Sequence, residues 1–84
     1  MSRWSRIREK IFYGQSNSNI EFADLVAYLL HLGFSERIVG DHHILYRHDV
    51  IEIINIQPLK DGKAKAYQVR QVRELLRRSK LGDE

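Results

Sequence analysis

The sequence predicts an α+β fold made of a helix, a three-stranded antiparallel meander and a second helix, preceded by an N-terminal arm or short helix. Apolar residues recur every three or four positions in two stretches, as on the buried face of a helix. Between these stretches lie three short runs rich in β-branched residues and separated by turns. The chain has 84 residues, which is room for one domain.

The N-terminal part and the first long helix are predicted from their apolar patterns. Residues 1–18 form the arm or short helix, with Trp4, Ile7, Ile11 and Phe12 on one side, and residues 19–81 form the main domain. The first helix of that domain runs from about Glu21 to Leu32. Ser18 and Asn19 are candidates to cap it, and Gly33 ends it. Along it, apolar residues recur at helical spacing: Phe22, Leu25, Val26, Leu29 and Leu30.

Three strands are predicted after the helix that Gly33 ends. The first covers Phe34 to Val39, and the second covers His43 to His48. Between them, Gly40-Asp41 predicts a two-residue hairpin turn with glycine first, which places His42 at the exit of the turn. The third strand covers Ile51 to Ile56 after a turn at Asp49-Val50, and Pro58 ends it.

The final helix follows a charged, glycine-containing loop over residues 59–66. Its buried stripe is predicted at Val69, Val72, Leu75 and Leu76. Neither long helix can bury its stripe alone, so both should pack on one face of the sheet. The opposite face of the sheet is then free for a partner.

Composition narrows the class of protein. There is no cysteine, so neither disulfides nor a thiolate metal site supports the fold, and a reducing cytoplasmic location is expected. The N-terminus is basic but lacks the apolar stretch of a signal peptide, and no run reaches the length that spans a membrane.

The charge is unevenly distributed along the chain. The net charge is +3, but residues 60–80 hold eight basic and two acidic side chains, a local charge of +6. Such a segment suits phosphate, although a solvated charged surface explains many similar runs. The candidate RNA-binding residues are Lys63, Lys65, Arg70, Arg73 and Arg77, which can form one stripe along a phosphate backbone.

The turn between the first two strands carries the best candidate for catalysis. An imidazole held at a turn exit can transfer protons at neutral pH, which makes His42 the first choice as general acid or base. His43 should point to the opposite face of the sheet. Gly40, Asp41, His43 and Tyr46 are candidates to support the site.

Several motifs together resemble the HicA-type toxins of bacterial and archaeal toxin–antitoxin pairs, over about residues 7–80. The match includes a Gly-x-His-His turn, a strand that ends in Gln-Pro and a helix that starts with Tyr-Gln-Val-Arg-Gln-Val-Arg. The matching segments are Asn19-Ile20, Leu32-Gly33-Phe34, Gly40-Asp41-His42-His43, Ile53-Ile54-Asn55-Ile56-Gln57-Pro58 and residues 63–73.

This resemblance implies a fold similar to double-stranded RNA-binding domains and an endoribonuclease (mRNA interferase) that is silenced by a HicB-type antitoxin. The family's catalytic histidine corresponds to His42. Asp41 stands where the family usually has serine, and its carboxylate either repels phosphate or orients the imidazole and favours its charged form. No cofactor and no metal are expected, because His42, His43 and His48 diverge and no cysteine completes a set.

Other interpretations stay open at this point. His42 and His43 can be polar residues that only finish a hairpin. The domain can also be a non-catalytic RNA-binding module of the same fold, or a domain that binds only proteins. Among the tyrosines, Tyr46 alone lies close enough to the turn in sequence to be considered for base stacking.

Overall fold

The computed structural model describes residues 2–14 and 19–82. Within them the chain forms α1 (Arg3–Tyr13), α2 (Phe22–His31), β1 (Ser35–Val39), β2 (His42–Arg47), β3 (Val50–Ile56) and α3 (Ala66–Arg78). The strands form one antiparallel sheet in the order β1-β2-β3. The predicted α+β class is confirmed, with its helix, meander, helix order and its short N-terminal helix.

Helix α1 is part of the core. It begins after Ser2, whose hydroxyl accepts a hydrogen bond from the backbone N–H of Ser5 at 3.2 Å. Its predicted apolar side is buried through Ile7, Ile11 and Phe12. The predicted cap Ser18, and the predicted end of the arm at residue 18, lie outside the described residues.

Helix α2 begins and ends by different means. The residue that caps it is Glu21, whose side chain makes no capping bond, so the prediction that Asn19 caps this helix is wrong. The loop before α3 lies against this end instead, and the N–H of Phe22 donates to the carbonyl of Gly62 at 2.9 Å. At the other end Gly33 adopts φ +95°, and Phe34 N–H donates back to Leu29 at 3.1 Å, which confirms the predicted end.

The hairpin between β1 and β2 has the predicted two-residue turn. Gly40 adopts φ +61°, a conformation that favours glycine, and Val39 pairs directly with His42. His42 is therefore the first residue of β2, one position earlier than predicted. The next turn is at His48 and Asp49 rather than at residues 49–50, since the register shifts between Leu45 and Arg47 and brings Val50 into β3.

The two faces of the sheet differ. The inner face buries Leu45, Ile54 and Ile56 against the helices, and the predicted stripe of α3 is buried with them. The outer face is covered by no element of the described residues. It carries His42, Ile44, Asn55 and four exposed large apolar side chains, those of Val39, Tyr46, Ile51 and Ile53.

Helix α3 runs antiparallel to β3 on the inner side of the sheet. Near the start of the helix, Gln68 accepts a hydrogen bond from the backbone N–H of Gln57 at 3.1 Å. Near its end, Arg78 pairs with Glu52 at 2.8 Å. Among the described residues no strand lies on the other side of β3, so this edge of the sheet is unpaired there. Over residues 2–14 and 19–82, every helix falls short of the length and apolar character that a membrane span needs.

Candidate functional site

His42 lies on the outer face of the sheet, with its side chain 47% exposed. Its Nδ1 atom is 3.0 Å from Oδ1 of Asn55, and its Nε2 atom is 3.8 Å from Oδ1 of Asp41. The sheet brings Asn55 close because Ile44 pairs with Asn55, which places His42 and Asn55 diagonally on the same face. The imidazole is therefore held between a turn residue and the neighbouring strand.

This arrangement assigns roles to the two ring nitrogens. The amide oxygen of Asn55 can only accept, so Nδ1 of His42 carries a hydrogen and donates it. Nε2 faces the exposed side of the turn and is the nitrogen left for proton transfer. Asn55, on the neighbouring strand β3, orients the ring. The sequence alone did not predict this contact.

Asp41 belongs to a series of hydrogen-bonded side chains that extends to the loop before α3. The amide of Gln57 donates to the Asp41 carboxylate and is the main reason that the pKa of Asp41 lies below its ordinary value of 3.8. The oxygen of the same side-chain amide, Oε1 of Gln57, accepts a hydrogen bond from Nζ of Lys65 at 3.3 Å. Lys65 therefore stands at the same end of the sheet as His42 and adds positive charge there.

His43 has a different environment, as predicted from the alternation of the strand. It points to the inner face, where Nδ1 is 2.7 Å from Oε2 of Glu36 and the ring meets Phe22 edge-on at 4.8 Å. This half-buried pair links β1 to β2 beneath α2. Tyr46 shares the outer face with His42 but lies four residues further along β2, roughly 13 Å away.

The five candidate RNA-binding cations do not lie together. Lys63 pairs with Glu21 at 2.6 Å, and this hydrogen bond raises the pKa of Lys63 above its ordinary 10.5. Arg73 and Arg77 reach the carbonyls at the end of α1 at 3.4 Å each. Lys65 and the exposed Arg70 remain near the His42 end of the molecule. The RNA-binding role of all five stays a prediction.

A groove of about 690 Å³ separates β3 from α3. Its floor is apolar, and the salt bridge between Glu52 and Arg78 closes one end. At the other end it reaches Asn55, the partner of His42. The side chains along its rim are those of Ile53, Tyr67, Arg70, Gln71 and Glu74.

Three residues near the site were missed by reasoning from the sequence: Asn55, Gln57 and Tyr67. The first two carried a signal, because they are the polar residues at alternate positions of an otherwise apolar run. That alternation places both on the outer face, but only the register between β2 and β3 brings them to the turn. Tyr67 carried no such signal, since its position in the first turn of α3 does not distinguish a core residue from a surface residue.

Among the described residues, no group of three or more His, Cys, Asp or Glu side chains could hold a metal ion. Comparisons of the chain with protein-family models, with curated proteins and with solved structures each find no match.

Proposed function

We propose that this protein is an endoribonuclease that cleaves mRNA without a metal ion, and that it is a toxin of the HicA type. The observation that carries the proposal is the position of His42. Its imidazole is half exposed on the outer sheet face and oriented by Asn55, and the positive charge of Lys65 is held by Gln57 at the same end of the sheet. Proton transfer and charge stabilisation are the two functions that metal-independent cleavage of RNA requires.

The reaction follows from the chemistry of RNA. The ribose 2′-oxygen attacks the adjacent phosphorus, the bond from phosphorus to the 5′-oxygen breaks, and a 2′,3′-cyclic phosphate and a 5′-hydroxyl result. Nε2 of His42 either removes the 2′-proton or protonates the leaving 5′-oxygen, and solvent performs the other transfer. The ammonium of Lys65 stabilises the additional negative charge on the phosphorane.

A purified sample tests this function directly. We expect cleavage of single-stranded RNA in the presence of EDTA, with 2′,3′-cyclic phosphate or 3′-phosphate ends detected by mass spectrometry. His42→Ala should lower the rate by about 10²–10⁴-fold. His48→Ala is the matched control, because His48 is exposed at the far end of β2. Products with 5′-phosphate ends that require Mg²⁺ would contradict the mechanism.

The toxin role carries expectations in cells and for a partner. In the cytoplasm, expression of this chain alone should arrest growth and deplete mRNA, whereas the folded His42→Ala variant should do neither. The uncovered sheet face beside His42, with its exposed apolar side chains, supports binding of a HicB-type antitoxin. An antitoxin placed there buries His42 and blocks the substrate.

A second candidate function is RNA binding without turnover. It is favoured by one observation, the carboxylate of Asp41 at 3.8 Å from Nε2, because a negative charge there opposes the approach of a phosphate. Salt-dependent RNA binding with no cleavage at any pH would support this alternative. A domain that only binds proteins should bind no nucleic acid at physiological salt.

A further inference from the structure

The two ends of the groove between β3 and α3 differ in charge. At the far end the guanidinium of Arg78 is paired with both carboxylate oxygens of Glu52, each at 2.8 Å. At the end near His42 the groove is bordered by Asn55 and by the exposed Arg70. Lys65 immediately precedes the first residue of α3 and binds Gln57. Exposed positive charge at the His42 end of the groove is therefore carried by Arg70, and Glu74 adds a negative charge one helical turn further along the rim.

Tyr67 projects from the first turn of α3 at this same end. Its side chain is 48% exposed, so a large part of the ring is open to a ligand, and its hydroxyl accepts a weak hydrogen bond from Gln68 at 3.4 Å. Arg70 follows three residues later and so lies on the same side of the helix. An aromatic ring and a guanidinium thus stand next to each other on the rim.

We propose that the His42 end of the groove is a nucleotide subsite for single-stranded RNA. The ring of Tyr67 stacks on the base next to the scissile phosphate, and Arg70 contacts the following phosphate. This inference rests on the proposed ribonuclease function and adds to it a defined place for the substrate.

Stacking on Tyr67 determines whether the subsite takes single-stranded or double-stranded RNA. A base in a duplex is stacked on both sides and is not available to a side chain, whereas a base in a single strand can turn out onto an aromatic ring. The subsite accordingly selects unpaired RNA. Because every base has a flat face, it does so without strong sequence preference.

The decisive measurement is the affinity for an RNA that cannot be cleaved. A fluorescent single strand with 2′-O-methyl groups at every position lacks the attacking hydroxyl, so its binding is separate from any reaction. We expect Tyr67→Ala to weaken its binding roughly 5- to 150-fold. Tyr67→Phe should bind normally. Tyr13→Ala, which removes an exposed ring from the end of α1, is the matched control and should bind normally.

Each outcome decides a different point. Equal affinities of the Tyr67→Ala variant and the intact protein, with both samples folded by circular dichroism, would overturn the subsite. If that variant also cleaves RNA normally, the ribonuclease function survives without the subsite. If the strand binds as expected but RNA is never cleaved, the subsite stands and the ribonuclease function is wrong. Equal binding of single and double strands would refute the selection of unpaired RNA.

Discussion

At the residue scale, the proposed cleavage depends on how the imidazole of His42 is oriented. Asn55 fixes the hydrogen on Nδ1 of His42, and the Gly40-Asp41 turn places the ring at the start of β2. Asp41 is the acidic residue beside this imidazole, at the position where the HicA-type toxins usually have serine. Its Oδ1 atom lies 3.8 Å from Nε2 of His42, which is beyond hydrogen-bond distance. The hydrogen bond to its carboxylate comes from Gln57.

This geometry predicts the result of Asp41→Ser. Because the carboxylate is exposed and too distant for a hydrogen bond, we expect its main effect to be repulsion of phosphate. The variant should bind uncleavable RNA about five-fold more tightly at low salt, with little change in the pH optimum of cleavage. Fluorescence anisotropy and a pH–rate profile measure the two effects. A clear downward shift of the optimum would show instead that Asp41 stabilises the charged imidazole.

The hydrogen bond from Gln57 predicts a second result at this scale. It stabilises the ionised form of Asp41, so its contribution to the fold is present above pH 3.8 and is lost as the pH falls through the lowered pKa. In Gln57→Ala the pKa of Asp41 should rise toward 3.8. A carboxyl-carbon NMR titration measures it. The control Gln71→Ala removes an amide from the exposed face of α3 and should leave the Asp41 titration unchanged.

At the scale of the elements, the basic residues of α3 have separate functions. Arg73 and Arg77 donate to the carbonyls of Ile11 and Phe12 and so satisfy the free acceptors at the end of α1. The side chain of Arg70 stays exposed on the rim of the groove. One charged helix therefore binds a neighbouring helix on one side and leaves a cation exposed on the rim of the groove on another.

Two substitutions separate these functions. Arg73→Ala should lower the free energy of unfolding by about 1 kcal/mol, because it removes the donor to the Ile11 carbonyl at the end of α1. Arg70→Ala should leave stability unchanged and reduce the salt dependence of RNA binding by about 0.7 in log–log slope. Urea denaturation and salt titrations check both. If Arg70→Ala lost only antitoxin binding, its surface would be a protein interface.

The elements also show what could be predicted from sequence. Apolar spacing identified α2 and α3, and glycine identified the ends of α2 and β1, because these signals are local. The start of α2 could not be predicted, since its first N–H is satisfied by Gly62, which is distant in sequence. The same holds for the candidate site. The turn that carries His42 was predicted, but Asn55 is brought to His42 only by the strand register, and Lys65 is brought to Gln57 only by the path of the loop.

At the scale of the whole molecule, α1 belongs to the same core as the sheet. Ile7, Ile11 and Phe12 are each buried, and Trp4 stacks on His31 of α2 at 4.3 Å. Burial of an apolar side chain of this size contributes about 1.5–3 kcal/mol. The three together supply about 5–9 kcal/mol, which is as much as the entire stability of many small domains.

Removal of residues 1–14 should therefore abolish cooperative unfolding. We expect the shortened chain to lack a thermal transition by circular dichroism and to bind a hydrophobic dye. The pair of substitutions Arg6→Ala and Lys10→Ala is the control, since it removes charge from the exposed side of α1. A shortened chain that still unfolds cooperatively would show that residues 19–81 are an independent unit.

The free edge of β3 has a consequence for handling the protein. Ile51 is fully exposed and Ile53 is 64% exposed, with only Glu52 between them. An unpaired apolar edge is a template on which other copies can add strands, and a charge within it prevents this addition. Glu52→Val should therefore form fibrils or precipitate at concentrations at which Glu74→Val stays clear by light scattering. We therefore expect Glu52 to raise the concentration at which this protein can be stored.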